Sequence, residues 1–303
     1  MSIVEKALTR LQAATAPHEP HEPRAPLPRQ VARESARERS TGRSTAQPKR
    51  DRSVADRVSI PMDKLQAALI LPPADATHRA ADEMRRIKWP LFNDIFGPGS
   101  ADMVNGNLLQ VTSSVPGEGK TYTSINLALT AAREGDCDIL LLDADLLKPW
   151  LSNLLGVSGR PGLIDLLADS SLALERTLLG TDIDGLYVIP AGRGQARGGE
   201  FAGINRLHET LERIAHEFRG GVVIVDSPPL LSASLAQNLS RSVGHLLMVV
   251  RALETPRAIV QEALSLIDRP SIVSCVLNQA PAIAHGGSSY GGYYGYAAGD
   301  EQR

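Results

Sequence analysis

Residues 108–121, LLQVTSSVPGEGKT, place a short apolar run, a proline-and-glycine turn and a Gly-Lys-Thr triplet ahead of a helical segment, TSINLALTAARE. An apolar run of strand length that ends in glycines and opens directly into a helix fits a strand–loop–helix unit. Glycines let backbone N–H groups turn inward around phosphate oxygens, and the helix N-terminus adds positive potential. The spacing is that of a P-loop (Walker A), GxxxxGKT, with Ser114 where the first glycine would stand. Pro116, Gly117, Glu118, Gly119, Lys120, Thr121 and Tyr122 are then the candidate nucleotide cradle. Lys120 is placed to reach the β/γ-phosphates and the Thr121 hydroxyl to hold Mg2+.

Two further apolar runs end in carboxylates. ILLLDADLLKP (139–149) sets Asp143 and Asp145 two residues apart at a strand end made almost wholly of Leu. VVIVDSPPLL (222–231) ends in Asp226, with Pro228 and Pro229 fixing the exit. Aspartates beside such strands cost desolvation unless they face a crevice or meet a cation. The second run resembles a Walker B strand, and Asp226 is a candidate Mg2+ ligand. Either run alone also fits a solvated strand-to-loop turn; the three in this order are far more specific.

Around these motifs, residues 185–192, 245–250 and 271–278 read as further strands. In 204–218, Ile204, Leu207, Leu211, Ile214 and Phe218 recur at helical spacing. Thr255 and Pro256 read as the N-cap and first turn of a helix through Ile267, and residues 82–92 as a charged helix stopped by Pro90. Buried strands alternating with helices predict an α/β fold, a doubly wound, mostly parallel sheet of the P-loop NTPase type. Chemistry then belongs in the crevice at the carboxyl ends of the strands, where Asn278 is a candidate base contact.

Ahead of the sheet, residues 1–57 carry 12 Lys+Arg against 7 Asp+Glu, a net of +5, and the remainder a net of −7. From Thr15 this basic arm has almost no large apolar residue and reads as disordered. Ile3, Leu8 and Leu11 fall near one face of a short helix before it. With no aromatic interleaved to stack on bases, the arm does not predict nucleic-acid binding. No apolar run is long enough to span a membrane, and the charges in MSIVEKALTR argue against an export signal. Cys137 and Cys275 stand far apart in no metal-ligand spacing and read as ordinary buried thiols. The expected organisation is an arm (1–57), a helical segment (58–103), a P-loop core (104–280) and a tail (281–303).

The tail is the anomaly. Tyr290, Tyr293, Tyr294 and Tyr296 are four of the six tyrosines in the chain, set among glycines that disfavour helix and strand. They do not help the chain fold.

Taken together, SSVPGEGKT, LLLDADLLKP, VIVDSPP and the tyrosine-rich tail resemble the bacterial tyrosine kinases, in particular the cytoplasmic autokinases of exopolysaccharide loci. The resemblance runs from about Val58 to the C-terminus and includes the LPPAD and RRIKWPL stretches. It implies ATP with Mg2+ on the P-loop and the four tail tyrosines as phosphoacceptors. Asp143 or Asp145 would be the base, with Asp145, Asp226 and Thr121 serving the metal. It also implies regulation of exopolysaccharide synthesis, a membrane-embedded chain-length regulator as partner, recruitment to the inner face of the cytoplasmic membrane, and a ring-like homo-oligomer. Asp82, Arg85 and Lys88 would be the counterparts of the ring-supporting helix residues. Two positions depart from the family: Leu147 replaces an arginine and Trp89 a basic residue.

Two other readings compete. A partitioning or division-type ATPase would carry a signature lysine where this chain has Val115, followed by Pro116. The other is a nucleotide-binding scaffold with a merely adhesive Gly/Tyr tail; the P-loop that accompanies the tail weighs against it.

Overall fold

The protein is described from a computed structural model covering residues 52–71, 77–100, 103–193, 204–267 and 272–280. Leu, Ile and Val runs form an eight-stranded sheet: β1 (Asp56–Val58), β2 (Leu108–Ser113), β3 (Ile139–Asp143), β4 (Leu179–Thr181), β5 (Leu186–Ile189), β6 (Val222–Asp226), β7 (His245–Arg251) and β8 (Ile272–Asn278). Their spatial order is β1-β4-β5-β3-β6-β2-β7-β8. Every neighbouring pair is parallel except β4 with β5.

Alternation along each strand sends successive side chains to opposite faces. Leu109, Val111, Ile139, Leu141, Val222 and Ile224 enter one core, while Leu108, Leu140, Leu142, Val223 and Val225 enter the other. The first core is covered by α1 (Met62–Ala67), α2 (Thr77–Ile95), α3 (Lys120–Glu134) and α4 (Trp150–Leu154). The second lies under α5 (Leu163–Ala168), α6 (Ile204–Glu217) and α7 (Ser234–Ser240). Further along that face, α8 (Arg257–Ser265) packs on β7. The doubly wound, mostly parallel architecture is therefore present. Strands β3, β6 and β2, neighbours in the sheet, carry all three motifs to one end.

Four expectations need correction. Pro90 does not stop its helix: α2 continues to Ile95 with Pro90 inside. The proline costs about 3 kcal/mol, but Leu91, Phe92 and Ile95 beyond it are buried, and each large apolar side chain buried contributes roughly 1.5–3 kcal/mol. The boundary at residue 57 is also displaced, because β1 pairs with β4 and the chain is already anchored at Arg52. That guanidinium meets the buried Asp138 carboxylate at 3.0 Å and lies 4.0 Å from the Phe218 ring centroid. The N-cap of α8 is Pro256 itself, since the Thr255 hydroxyl is drawn to Glu118. Finally, Cys137 is buried but Cys275, on the edge strand β8, is exposed. The tail, the N-terminal arm with Ile3, Leu8 and Leu11, and the LPPAD stretch beyond Leu71 lie outside the described residues.

Candidate active site

The turn between β2 and α3 owes its shape to two glycines and a glutamate. Gly117 and Gly119 adopt φ of 87° and 94°, a left-handed conformation costly for any residue with a Cβ. Glu118 does not point toward a ligand. Its carboxylate is 1% exposed and folds behind the loop. There it accepts the Val115 amide at 2.9 Å, the Arg251 amide at 3.2 Å and the Thr255 hydroxyl at 2.5 Å. The side chain thus ties the loop to the turn after β7, and a ligand can meet residue 118 only through its backbone.

The end of β8 closes the other side. Asn278 Nδ2 donates to the Glu118 carbonyl at 2.9 Å, and Gln279 Nε2 donates to the Gly117 carbonyl at 3.5 Å. A Cβ on Gly119 would lie 1.9 Å from Asn278 Nδ2. Gly119→Ala is therefore expected to expel that amide and strain the loop, lowering stability by about 1–3 kcal/mol in urea denaturation and weakening nucleotide affinity as well.

Lys120 and Thr121 open α3. Lys120 Nζ is 3.7 Å from Asp145 Oδ2. Thr121 Oγ1 donates to Asp226 Oδ2 at 2.8 Å, and Ser124, one turn along the same helix face, donates to Asp226 Oδ1 at 3.0 Å. Asp143 and Asp226 stand directly opposite each other on β3 and β6. Asp143 Oδ2 receives both the amide of Ser152 at 2.8 Å and its hydroxyl at 2.7 Å; Oδ1 receives the Asp145 amide at 3.2 Å. Ser152 Oγ in turn accepts the Ala191 amide at 2.9 Å, which locks its rotamer.

Burial sets the charge state of this cluster. It pushes the Asp143 carboxyl up to about 7, helped by the Asp226 charge and opposed by the Ser152 hydrogen bonds. Asp226 is likewise raised by burial to about 6, against the pull of Lys120. Asp145 is raised by burial too, with Lys120 again opposing. A carboxyl whose folded pKa lies above its unfolded value binds protons preferentially in the folded state. Stability is therefore highest at low pH and falls as pH rises from about 4 through about 7. Thermal melts without nucleotide should show a loss on the order of a few kcal/mol between pH 5 and pH 8, and Asp143→Asn should shrink it.

The donor set is all oxygen: the Thr121 hydroxyl and the Asp145 and Asp226 carboxylates. Two adjacent buried carboxylates with raised proton affinity mark a place short of positive charge. That suits Mg2+, which binds through one or two carboxylates together with substrate phosphates. The structure thus brings together Lys120, Thr121, Asp143, Asp145 and Asp226, and sets Asn278 against the loop. Tyr122 faces sideways into a cavity of about 730 Å3 that also touches Gly119, Ile87, Leu277 and Asn278. Sequence reading missed Ser124 and Ser152. Helical spacing from Thr121 would have found the first; the second is brought in by the chain's turn through α4 and left no local signal.

No protein-family model matches the chain. Tyrosine-protein kinase Ptk of Acinetobacter johnsonii is 32% identical over 149 residues, 49% of this chain and 20% of its own length. Among solved structures, the kinase domain of VpsO superposes with a TM-score of 0.56 at 25% identity, covering 73% of this chain and 99% of that one. The kinase domain of Escherichia coli tyrosine kinase ETK superposes with a TM-score of 0.54 at 30% identity, covering 65% of this chain and 76% of that domain. The chain belongs to the bacterial tyrosine kinases. It spans about a fifth of the length of the curated bacterial tyrosine kinase named above.

Within this bacterial tyrosine kinase fold, of the three α2 residues expected to support a ring, Lys88 is engaged internally while Asp82 and Arg85 stay exposed. Lys88 is 6% exposed and pairs with Glu134 at the end of α3 and with Asp136 at 3.3 Å. Arg85 reaches Asp82 at 2.8 Å and Glu134 at 3.2 Å. Trp89, by contrast, is 68% exposed. No helix among the described residues is long and apolar enough to cross a membrane.

Proposed function

We propose that the chain is an ATP-dependent protein-tyrosine kinase that phosphorylates its own tail at Tyr290, Tyr293, Tyr294 and Tyr296 and thereby regulates exopolysaccharide synthesis and export. One observation carries this reading. The residue that leads into the tyrosine-rich tail, Gln279, is hydrogen-bonded to the same loop that opens onto Lys120 and the three aspartates. The described chain thus ends, at Ala280, on the side of the sheet where the nucleotide would bind.

In this mechanism the P-loop amides and Lys120 bind the β/γ-phosphates, and the cavity beside Gly119 takes the nucleoside, against Tyr122 and Asn278. Thr121, Asp226 and Asp145 would hold Mg2+, which when bound would neutralise charge on the transferred phosphoryl group. A tyrosine hydroxyl, with pKa about 10, is a weak nucleophile at neutral pH, so a base must accept its proton as it attacks. Asp145 already faces a cation. Asp143 does not, and its proton affinity lies near neutrality; it is assigned as the base, oriented by Ser152. Lys120 stabilises the charge that develops as the bond to ADP breaks.

The setting proposed for this activity is the inner face of the cytoplasmic membrane. A membrane-embedded chain-length regulator would recruit the kinase there, and copies would assemble into a ring. The purified chain, incubated with γ-labelled ATP and Mg2+, tests the activity. A kinase places label in the tail and loses it when the four tail tyrosines become phenylalanine. A partitioning-type ATPase releases phosphate without labelling itself, and a scaffold does neither.

A further inference from the structure

Glu118 occupies a place that electrostatics alone would deny it. Its buried carboxylate lies behind a turn whose glycines and helix N-terminus suit a polyphosphate, and a negative charge there opposes the binding of another anion. Among the described residues its hydrogen-bond partners are all uncharged: the Val115 and Arg251 amides and the Thr255 hydroxyl. The Arg251 guanidinium turns instead to Glu254, at 2.8 Å. All three partners can donate, which fits a carboxylate and not a carboxamide, whose N–H2 would face one of them. The charge therefore stands against the cradle because it joins two loops, the turn after β2 and the turn after β7.

A second route joins the same two loops. Asn278 donates to the Glu118 carbonyl, and the carbonyl of Asn278 accepts the Ala252 amide at 2.9 Å. Arg251 and Asn278 are paired across β7 and β8. Residue 118 is thus gripped at both its carbonyl and its carboxylate by groups tied to residues 251–255. That turn is itself held at a cost. Leu253 adopts φ of 62°, in the left-handed region, while its side chain is 89% exposed. No burial of that side chain offsets the strain.

We propose, resting on the nucleotide reading above, that Glu118 is a positioning residue through which the 251–255 turn sets the affinity of the phosphate loop, with Thr255 as its anchor. No bond is made or broken at Glu118. It presets the loop, so that less ordering is left to occur when phosphate binds. The coupling is reciprocal: a nucleotide that orders the loop orders the turn by the same factor.

Two measurements on the full-length chain test it. In the first, ADP with Mg2+ is titrated calorimetrically. Thr255→Val removes the hydroxyl and keeps the branched shape; it should raise the ADP Kd about five- to ten-fold, and Thr255→Ser should restore it. Glu118→Gln should raise the Kd at least as much, and the double variant no further than Glu118→Gln alone. A Thr255→Val chain that melts earlier yet keeps the wild-type Kd overturns the proposal, since Thr255 then serves the fold alone. Additive losses overturn it too. In the second, hydrogen exchange is followed in peptides spanning residues 250–257. ADP should slow exchange there in the wild type and not in Thr255→Val or Glu118→Gln; equal slowing in all three contradicts the coupling. Coupled binding in a chain that never labels its tail supports the tether and sinks only the kinase reading, whereas a wild-type chain that binds no ADP sinks both.

Discussion

Lys120→Met is expected to leave a folded protein that forms essentially no phosphotyrosine, a loss of at least about 10³-fold. The side chain enters the P-loop mouth 3.7 Å from Asp145 and lowers the proton affinity of both Asp145 and Asp226. Methionine keeps the apolar stem and removes the ammonium, so packing of α3 is retained and charge is not. Two consequences follow that a simple folding defect would not give. The thermal midpoint should fall modestly at pH 8, where Asp226 is ionised and loses its counter-ion, and less at pH 5, below the value of about 6 to which burial raises that carboxyl. The circular dichroism spectrum should not change. Label incorporation measured beside these two separates lost chemistry from lost structure.

Asp143→Asn is the second large effect. The amide fills the same space on β3 and still accepts the Ser152 hydroxyl, but it cannot take a proton from tyrosine. Loss of a general base costs typically 10²–10⁴-fold, and kcat should fall by that order with the KM for ATP little changed. The same substitution should stabilise the nucleotide-free protein at pH 8, because it removes one of two facing buried carboxylates. Lower activity with higher stability is the signature of a strained active site. A drop in both would mean that Asp143 serves the fold rather than the reaction.

Much of this architecture was legible in the sequence. Runs such as ILLLD and VVIVD could only be strands covered on both faces, and the Gly-Lys-Thr turn at the end of β2 fixed where the crevice lies. What escaped shares a cause: contacts distant in sequence that outweigh local preference. Pro90 reads as a stop until the buried Leu91, Phe92 and Ile95 are seen beyond it. Arg52 reads as part of a solvated arm until Asp138 and Phe218 claim it. Glu118 reads as a member of the cradle, yet two of its carboxylate's three partners lie 133 and 137 residues away, behind the loop. Lys88 reads as a ring-supporting residue, yet its ammonium is paired with Glu134 at the end of α3. The aspartates converge as their spacing suggested, but nothing local announced that Ser152 would orient one of them.

The account stands on transfer of phosphate from a nucleotide on the P-loop to the C-terminal tyrosines. Site-resolved mass spectrometry of the intact chain after incubation with Mg2+ and ATP examines that directly. The account predicts phosphate on Tyr290, Tyr293, Tyr294 or Tyr296, and none on these residues in Lys120→Met. ATP consumed at the same Lys120-dependent site, with every tail tyrosine unmodified, would contradict it.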